Sequence, residues 1–317
     1  MSRAGEAPAC QPITGDFHGL PTVGLAGEGI WFEALATAGP RIVRLGVMGG
    51  PNLLAETPDV AWPTAHGPYR LHGGHRLWLA PESSGLQGAP DGSGLRVESL
   101  PDGLRLLGAP DPETHLVRSI EVRPDPRLPI LHVGHQVHNV GTQTFAAAMW
   151  AITQLPPGGW VVLPQPVVAA GHGTRPNRLL ALWPYTSAED PRLVLRDGLV
   201  AVRGVSGSDL KVGTVVDEGW VAWARDGLAL VRRWTPVAGA PYPDLGCNAE
   251  AFVTQQYTEL EVLGPLVALA PGGRAMLNET WERRPADDLD PARLRQALAP
   301  PIPVPSASPV AALQHEA

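Results

Sequence analysis

Lysine is nearly missing from this chain of 317 residues: Lys211 is the only one, and every other strongly basic side chain is an arginine. An imine mechanism would have to use Lys211, because only an amine condenses with a carbonyl. Its neighbours Ser208, Asp209, Leu210 and Val212 read as a polar turn and not as the desolvated pocket that activates a lysine, so pyridoxal phosphate chemistry is not expected. Cys10 and Cys247 are too few for a disulfide framework and fit no metal spacing. Charged residues make up 17% of the chain, with a net charge of −7 and no basic cluster, which argues against nucleic acid as a partner. No apolar run reaches the roughly 18 to 20 residues of a membrane-spanning helix. Residues Met1 to Glu6 lack the apolar core of a signal peptide, so a cytoplasmic protein without a membrane partner is expected.

Glycine and proline, by contrast, are abundant, at 36 and 35 residues. Both disfavour long helices, proline by removing a backbone donor and glycine by its conformational freedom. Between them lie short apolar or alternating runs, the pattern of antiparallel strands. Runs at 95–100 and 104–107 flank Pro101-Asp102-Gly103, those at 193–196 and 199–203 flank Asp197-Gly198, and those at 219–225 and 228–234 meet at Asp226-Gly227. Asp-Gly tolerates the positive φ of tight hairpin turns. Further strands are expected at 41–47, 117–123, 130–140, 145–155, 160–163, 179–183, 258–263 and 274–281. More than a dozen strands without βαβ alternation predict an all-β fold, a large antiparallel sandwich with little helix. Residues 1–290 are expected to form one domain. A short helix capped by Asp290 and a proline-rich tail complete the chain over 291–317.

Two segments carry the chemistry. In Leu71-His72-Gly73-Gly74-His75-Arg76-Leu77-Trp78, strand alternation puts Arg76 and Trp78 on one face and His75 and Leu77 on the other. A guanidinium beside an indole suits a sugar, whose hydroxyls accept from arginine and whose C–H face packs on the ring. The glycines would let backbone approach a ligand closely. The competing reading makes Trp78 a core residue, pairs Arg76 with Glu82 and gives the glycines to a turn. In the second segment, Tyr257, Glu259 and Glu261 share a face about 7 Å apart. Two carboxylates that close in a cleft raise one another's pKa and suit acid–base work near neutrality; a solvent-facing acidic strand is the alternative.

His132, His135 and His138 alternate between faces and cannot converge on one ion, and His72 and His75 with Glu82 have the wrong spacing for a cupin-type metal site. Neither a metal nor any other cofactor is expected. Gly-x-Ser-x-Gly and Gly-x-x-x-x-Gly-Lys motifs are absent.

The run from Gly73 to Glu82, Asn139-Val140-Gly141, the run from Trp150 to Gly159, and Glu259 through Gly272 to Trp281 resemble the bacterial DUF4380 family of the galactose mutarotase-like superfamily. The resemblance spans residues 25 to 285. It implies a supersandwich of large twisted antiparallel sheets with a sugar cleft on a concave face. It also implies aldose 1-epimerase-like chemistry, in which a carboxylate takes the anomeric hydroxyl proton and an imidazole protonates the ring oxygen. The carboxylate falls on Glu259 or Glu261, and an ungapped count back from residues 269–272 favours Glu259. Arg76, Trp78, Glu82, His72, His172 and Trp150 are the implied sugar-binding residues. Where the epimerases carry their histidine, this chain has Met149-Trp150-Ala151-Ile152-Thr153. The acid must then come from His75, His72 or His172, or the protein binds sugar without converting it. A structural role through pairing of sheet edges is a further alternative.

Overall fold

The computed structural model describes residues 10–64, 66–82, 90–167, 176–287 and 289–303. Two large antiparallel sheets face each other. In the first, the order is β1 (Gln11–Phe17), β2 (Leu20–Ala26), β3 (Trp31–Leu35), β4 (Arg41–Gly46), β7 (His75–Ala80), β12 (Phe145–Leu155), β21 (Thr258–Leu263), β20 (Ala249–Val253), β17 (Leu210–Thr214) and β14 (Leu180–Leu182), with β22 (Val267–Leu269) also pairing β12. In the second it is β15 (Leu193–Arg196), β16 (Leu199–Arg203), β13 (Trp160–Pro164), β18 (Trp220–Arg225), β19 (Gly227–Arg233), β23 (Arg274–Ala286), β11 (Ile130–Asn139), β10 (Leu116–Pro124), β9 (Gly103–Leu107) and β8 (Arg96–Leu100). The hairpin of β5 (Glu56–Thr64) and β6 (Gly67–Gly73) stands apart from both.

The main core fills the space between the sheets. Leu77 and Leu79 of β7, Met149 and Ala151 of β12, and Leu260 and Val262 of β21 meet Leu106, Ile120, Val133 and Trp281 from the second sheet. The alternate residues of the same strands point the other way. Trp78, Ala80, Ala148, Trp150, Ile152 and Leu263 form a second apolar cluster with Tyr69 and Leu71 of the β5–β6 hairpin. The middle of the first sheet is thus covered on both faces, which is why β12 reads as an almost unbroken apolar run.

All three hairpins expected at Asp-Gly are present, as β8–β9, β15–β16 and β18–β19. The helix α1 (Pro291–Leu298) is capped by the Asp290 carboxylate, which accepts from the amides of Ala292 and Arg293. It docks Leu294 and Leu298 on Trp220, Ala222 and Val231 of the second sheet's outer face. The tail expected beyond it lies outside the described residues from 304 onward.

Several expectations need correction. Lys211 is in strand β17 and buried, not in a polar turn. Gly73 and Gly74 have φ of +91° and +67°, and a Cβ there would stand 2.1 Å from the Ala55 carbonyl oxygen and 2.0 Å from that of Ile42. These glycines serve close packing of the chain on itself, where any side chain would collide, and not the approach of a ligand.

Candidate functional site

The register of five neighbouring strands brings the polar residues of the outer face together. Arg76 of β7 lies opposite Ile152 of β12, and Trp78 opposite Trp150. Gln154 of β12 pairs with Glu259 of β21, and Ile152 with Glu261. Across the next seam Glu261 faces Glu250 of β20 and Glu259 faces Phe252, which in turn pairs with Lys211 of β17. Because side chains alternate along each strand, these residues project from the face opposite the main core.

The charges form two linked groups. Arg76 Nη2 donates to Glu259 Oε1 at 3.0 Å, and Gln154 Nε2 donates to the same oxygen at 3.0 Å. The Arg76 guanidinium lies 4.5 Å from the centre of the Trp78 ring. In the second group Lys211 Nζ ion-pairs with Glu250 Oε2 at 2.8 Å and with Glu261 Oε2 at 3.0 Å. Trp150 Nε1 donates to Glu261 Oε2 at 2.6 Å. The ammonium sits 4.4 Å from the Trp150 ring and 4.7 Å from that of Trp183.

All five charged residues are buried. Burial drives the Glu250 carboxyl well above the ordinary carboxylate range, with Lys211 pulling against it and Glu261 adding to the rise. Glu259 is also raised, by burial first, against the pull of Arg76. Burial alone would lower Lys211, but Glu261 and Glu250 together hold it above its usual value and keep it an ammonium. A charged amine is no nucleophile, so the corrected position of Lys211 still gives no imine site.

Four buried polar atoms here have no hydrogen-bond partner: Arg76 Nε and Nη1, Glu250 Oε1 and Glu261 Oε1. Each such atom costs about 1 to 3 kcal/mol if nothing meets it, so two donors and two acceptors left in this way call for a partner such as water or a ligand.

Of the residues expected at the site, the structure brings together Arg76, Trp78, Trp150, Glu259 and Glu261. Of the other four, three are described and make their contacts differently. His75 lies between the sheets, where its Nε2 is 2.7 Å from His135 Nε2 and its Nδ1 is 2.9 Å from Thr153 Oγ1. Its ring meets the edge of Trp281, so His75 is on the far side of the sheet from Glu259 and Glu261 and is not their acid partner. His72 is buried at φ +57°, and burial together with Arg41 lowers its pKa to about 4. Glu82 is exposed, and Arg76 pairs with Glu259 in place of it. His172 lies outside the described residues.

Lys211, Glu250 and Gln154 are site residues to which sequence reasoning assigned no binding or catalytic role. A signal for two of them existed: Leu210-Lys211-Val212 and Ala249-Glu250-Ala251 each set a lone charge in an apolar alternation, and a charge buried in that way requires an opposite charge elsewhere. Among the described residues no three His, Cys, Asp or Glu side chains converge as metal ligands.

Solved structures show what this arrangement is built on. A galactose mutarotase-like protein from Lactobacillus casei superimposes with a TM-score of 0.53 at 8% identity, over 83% of this chain and all of the other. The fold is galactose mutarotase-like. A candidate aldose 1-epimerase from Klebsiella pneumoniae matches with a TM-score of 0.56 at 11% identity, covering 92% of this chain and 91% of the other. A TPR-domain containing protein from Parabacteroides distasonis matches with a TM-score of 0.58 at 14% identity, and there 92% of this chain spans half of the longer protein. No protein-family model matches the chain. Nor does any curated protein match it in sequence.

Proposed function

We propose that the outer face of β7, β12, β21, β20 and β17 binds a carbohydrate. The observation that carries this reading is the set of unpartnered buried atoms, two guanidinium donors on Arg76 beside the Trp78 ring and two carboxylate acceptors on the glutamates that hold Lys211 over the Trp150 ring. A ligand must accept from one and donate to the other. Sugar hydroxyls do both, whereas a phosphate only accepts and an ammonium only donates. Lys211 and Arg76 pair with all three glutamates of the site, and indole faces suit the C–H face of a pyranose. The motif likeness to DUF4380 proteins and the fold support the same reading.

The reaction this arrangement favours is interconversion of anomers. Both hydrogen bonds to Glu259 land on Oε1, so Oε2 is the oxygen available to take the anomeric hydroxyl proton. A carboxylate raised by burial is a competent base near neutrality. The ring then opens as its oxygen is protonated, the C1–C2 bond rotates, and closure gives the other anomer. With His75 between the sheets, the Glu250 carboxyl, whose pKa burial raises against the pull of Lys211, is the acid in this scheme.

The position of His75 also favours a second reading, in which sugar is bound without conversion. Polarimetry of freshly dissolved α-glucose and α-galactose separates the two. Catalysis predicts faster mutarotation than in buffer, reduced at least about a hundredfold in Glu259→Gln, in line with loss of a general base. Saturable binding with an unchanged rate would leave the binding module.

A further inference from the structure

Among the described residues only two aromatic side chains are exposed, Trp62 at 37% and Tyr185 at 51%. A single exposed aromatic residue needs no explanation. These two, however, both rest on the candidate site. The Trp62 ring, on the β5–β6 hairpin, lies 5.5 Å from Trp78, and Trp78 lies 5.8 Å from Trp150. Tyr185 follows β14 and meets Phe252 at 6.3 Å, and Phe252 meets Tyr257 at the same distance. The turn that carries Tyr185 is tied to the site lysine: Thr186 Oγ1 donates to the Lys211 carbonyl at 2.9 Å and accepts from the Lys211 amide at 2.8 Å.

The two rings mark opposite sides of the polar floor. Trp62 contacts β7 and Tyr185 contacts β20, and those strands are separated by β12 and β21. Three interstrand spacings put the axes of β7 and β20 about 14 Å apart, more than the width of one pyranose. A lone sugar over Arg76 and Glu259 is shorter than that span between the strands. An exposed aromatic ring held in place at each edge, with hydrogen-bonding groups between, is complementary to a chain of sugars whose apolar faces stack at the ends and whose middle hydroxyls enter the floor.

Resting on the carbohydrate reading above, we infer that the ligand is an oligosaccharide of at least three units laid across the strands, with one unit on the floor and one each on Trp62 and Tyr185.

The test is titration calorimetry with glucose, galactose, mannose and xylose and their α- and β-linked oligomers of two, three and four units. The inference predicts that in one series affinity rises at least about tenfold from one unit to three, as two added stacking contacts require. Trp62→Ala and Tyr185→Ala each weaken the trimer about tenfold and leave the monosaccharide within about twofold. Tyr185→Phe, which keeps the ring, retains the trimer affinity. Both positions are exposed, and unchanged circular dichroism checks that the variants fold. A monosaccharide bound as tightly as its trimer, or a Trp62→Ala/Tyr185→Ala protein that binds the trimer as wild type does, overturns the inference while carbohydrate binding stands. A folded protein that binds no member of any series overturns the carbohydrate reading and this inference with it.

Discussion

Lys211 shows how much one side chain holds together. Its ammonium is the cation between Glu250 and Glu261, and all three are buried. Replacing it with Met leaves two carboxylates facing each other without a counter-charge, a change that costs about 3 to 5 kcal/mol. The loss must depend on pH. Glu250 has a raised folded-state pKa, so its contribution to stability is intact below the ordinary carboxyl value of 4.5 and is lost as pH rises through the folded value. Urea denaturation of Lys211→Met is therefore expected to show a smaller deficit at pH 5 than at pH 8, with part of the loss recovered in Lys211→Met/Glu250→Gln. An equal deficit at both pH values would refute this assignment.

His75 has the opposite sign. Burial, and then His135, hold its pKa well below the usual value, so the unfolded chain binds a proton that the folded one refuses. The stability it contributes is full above its ordinary value of 6.5 and is lost as pH falls through the folded value. His75→Gln is expected to flatten the decline of unfolding free energy from pH 6.5 to 5 by up to about 1.4 kcal/mol per pH unit. An unchanged slope would mean that His75 is not held neutral. The sequence already contained the reason that this histidine cannot assist Glu259: residues 75 and 76 point to opposite faces of one strand, and Arg76 is the one on the glutamate side.

At the scale of elements, the β6–β7 junction determines where Arg76 and Trp78 stand. Gly74 donates its amide to the Ala55 carbonyl, its own carbonyl accepts from the Gln154 amide, and it runs against Ile42. Gly74→Ala is expected to cost at least about 2 kcal/mol, from the left-handed φ together with the collision at Ile42. Thermal unfolding checks this, and a melting temperature equal to wild type would contradict it.

Elements were legible in proportion to how local their signals are. The Asp-Gly hairpins announce themselves within four residues, and so does the Asp290-Pro291 helix start. Strands β17 and β20 escaped because each carries a charge inside an apolar run, and the compensating partner is 39 residues away in the chain for Lys211 and Glu250 and 50 for Lys211 and Glu261. β2 escaped because Pro21 and Gly24 break its alternation. Gly24 in particular is required by backbone packing, since its Cβ would lie 1.8 Å from the Phe32 carbonyl oxygen.

For the whole molecule, the two-sheet sandwich explains why a chain with so few charges concentrates five of them on one buried patch. The inner face of the first sheet packs on the main core and holds the His75–His135 pair, while the five charges lie on the outer face. There the β5–β6 hairpin shields the β7 side, and the Tyr185 turn borders the β17 side. The fold class and the pair Arg76 and Trp78 could be read in advance from periodicity and resemblance. The balancing of Glu250 and Glu261 by one lysine could not, because it arises only when β17, β20 and β21 pair.

On the proposed function, Arg76 and Glu259 form part of a carbohydrate-binding floor. Saturation-transfer NMR with the saccharide series above, on wild type and on Arg76→Met/Glu259→Gln, tests it most directly. The double change removes the ion pair as a unit, so neither charge is left buried alone. Transfer is expected from the protein to the ring C–H protons of at least one saccharide, abolished in the double variant while its circular dichroism is unchanged. Transfer of equal strength in the folded variant, or none to any saccharide in wild type, would contradict it.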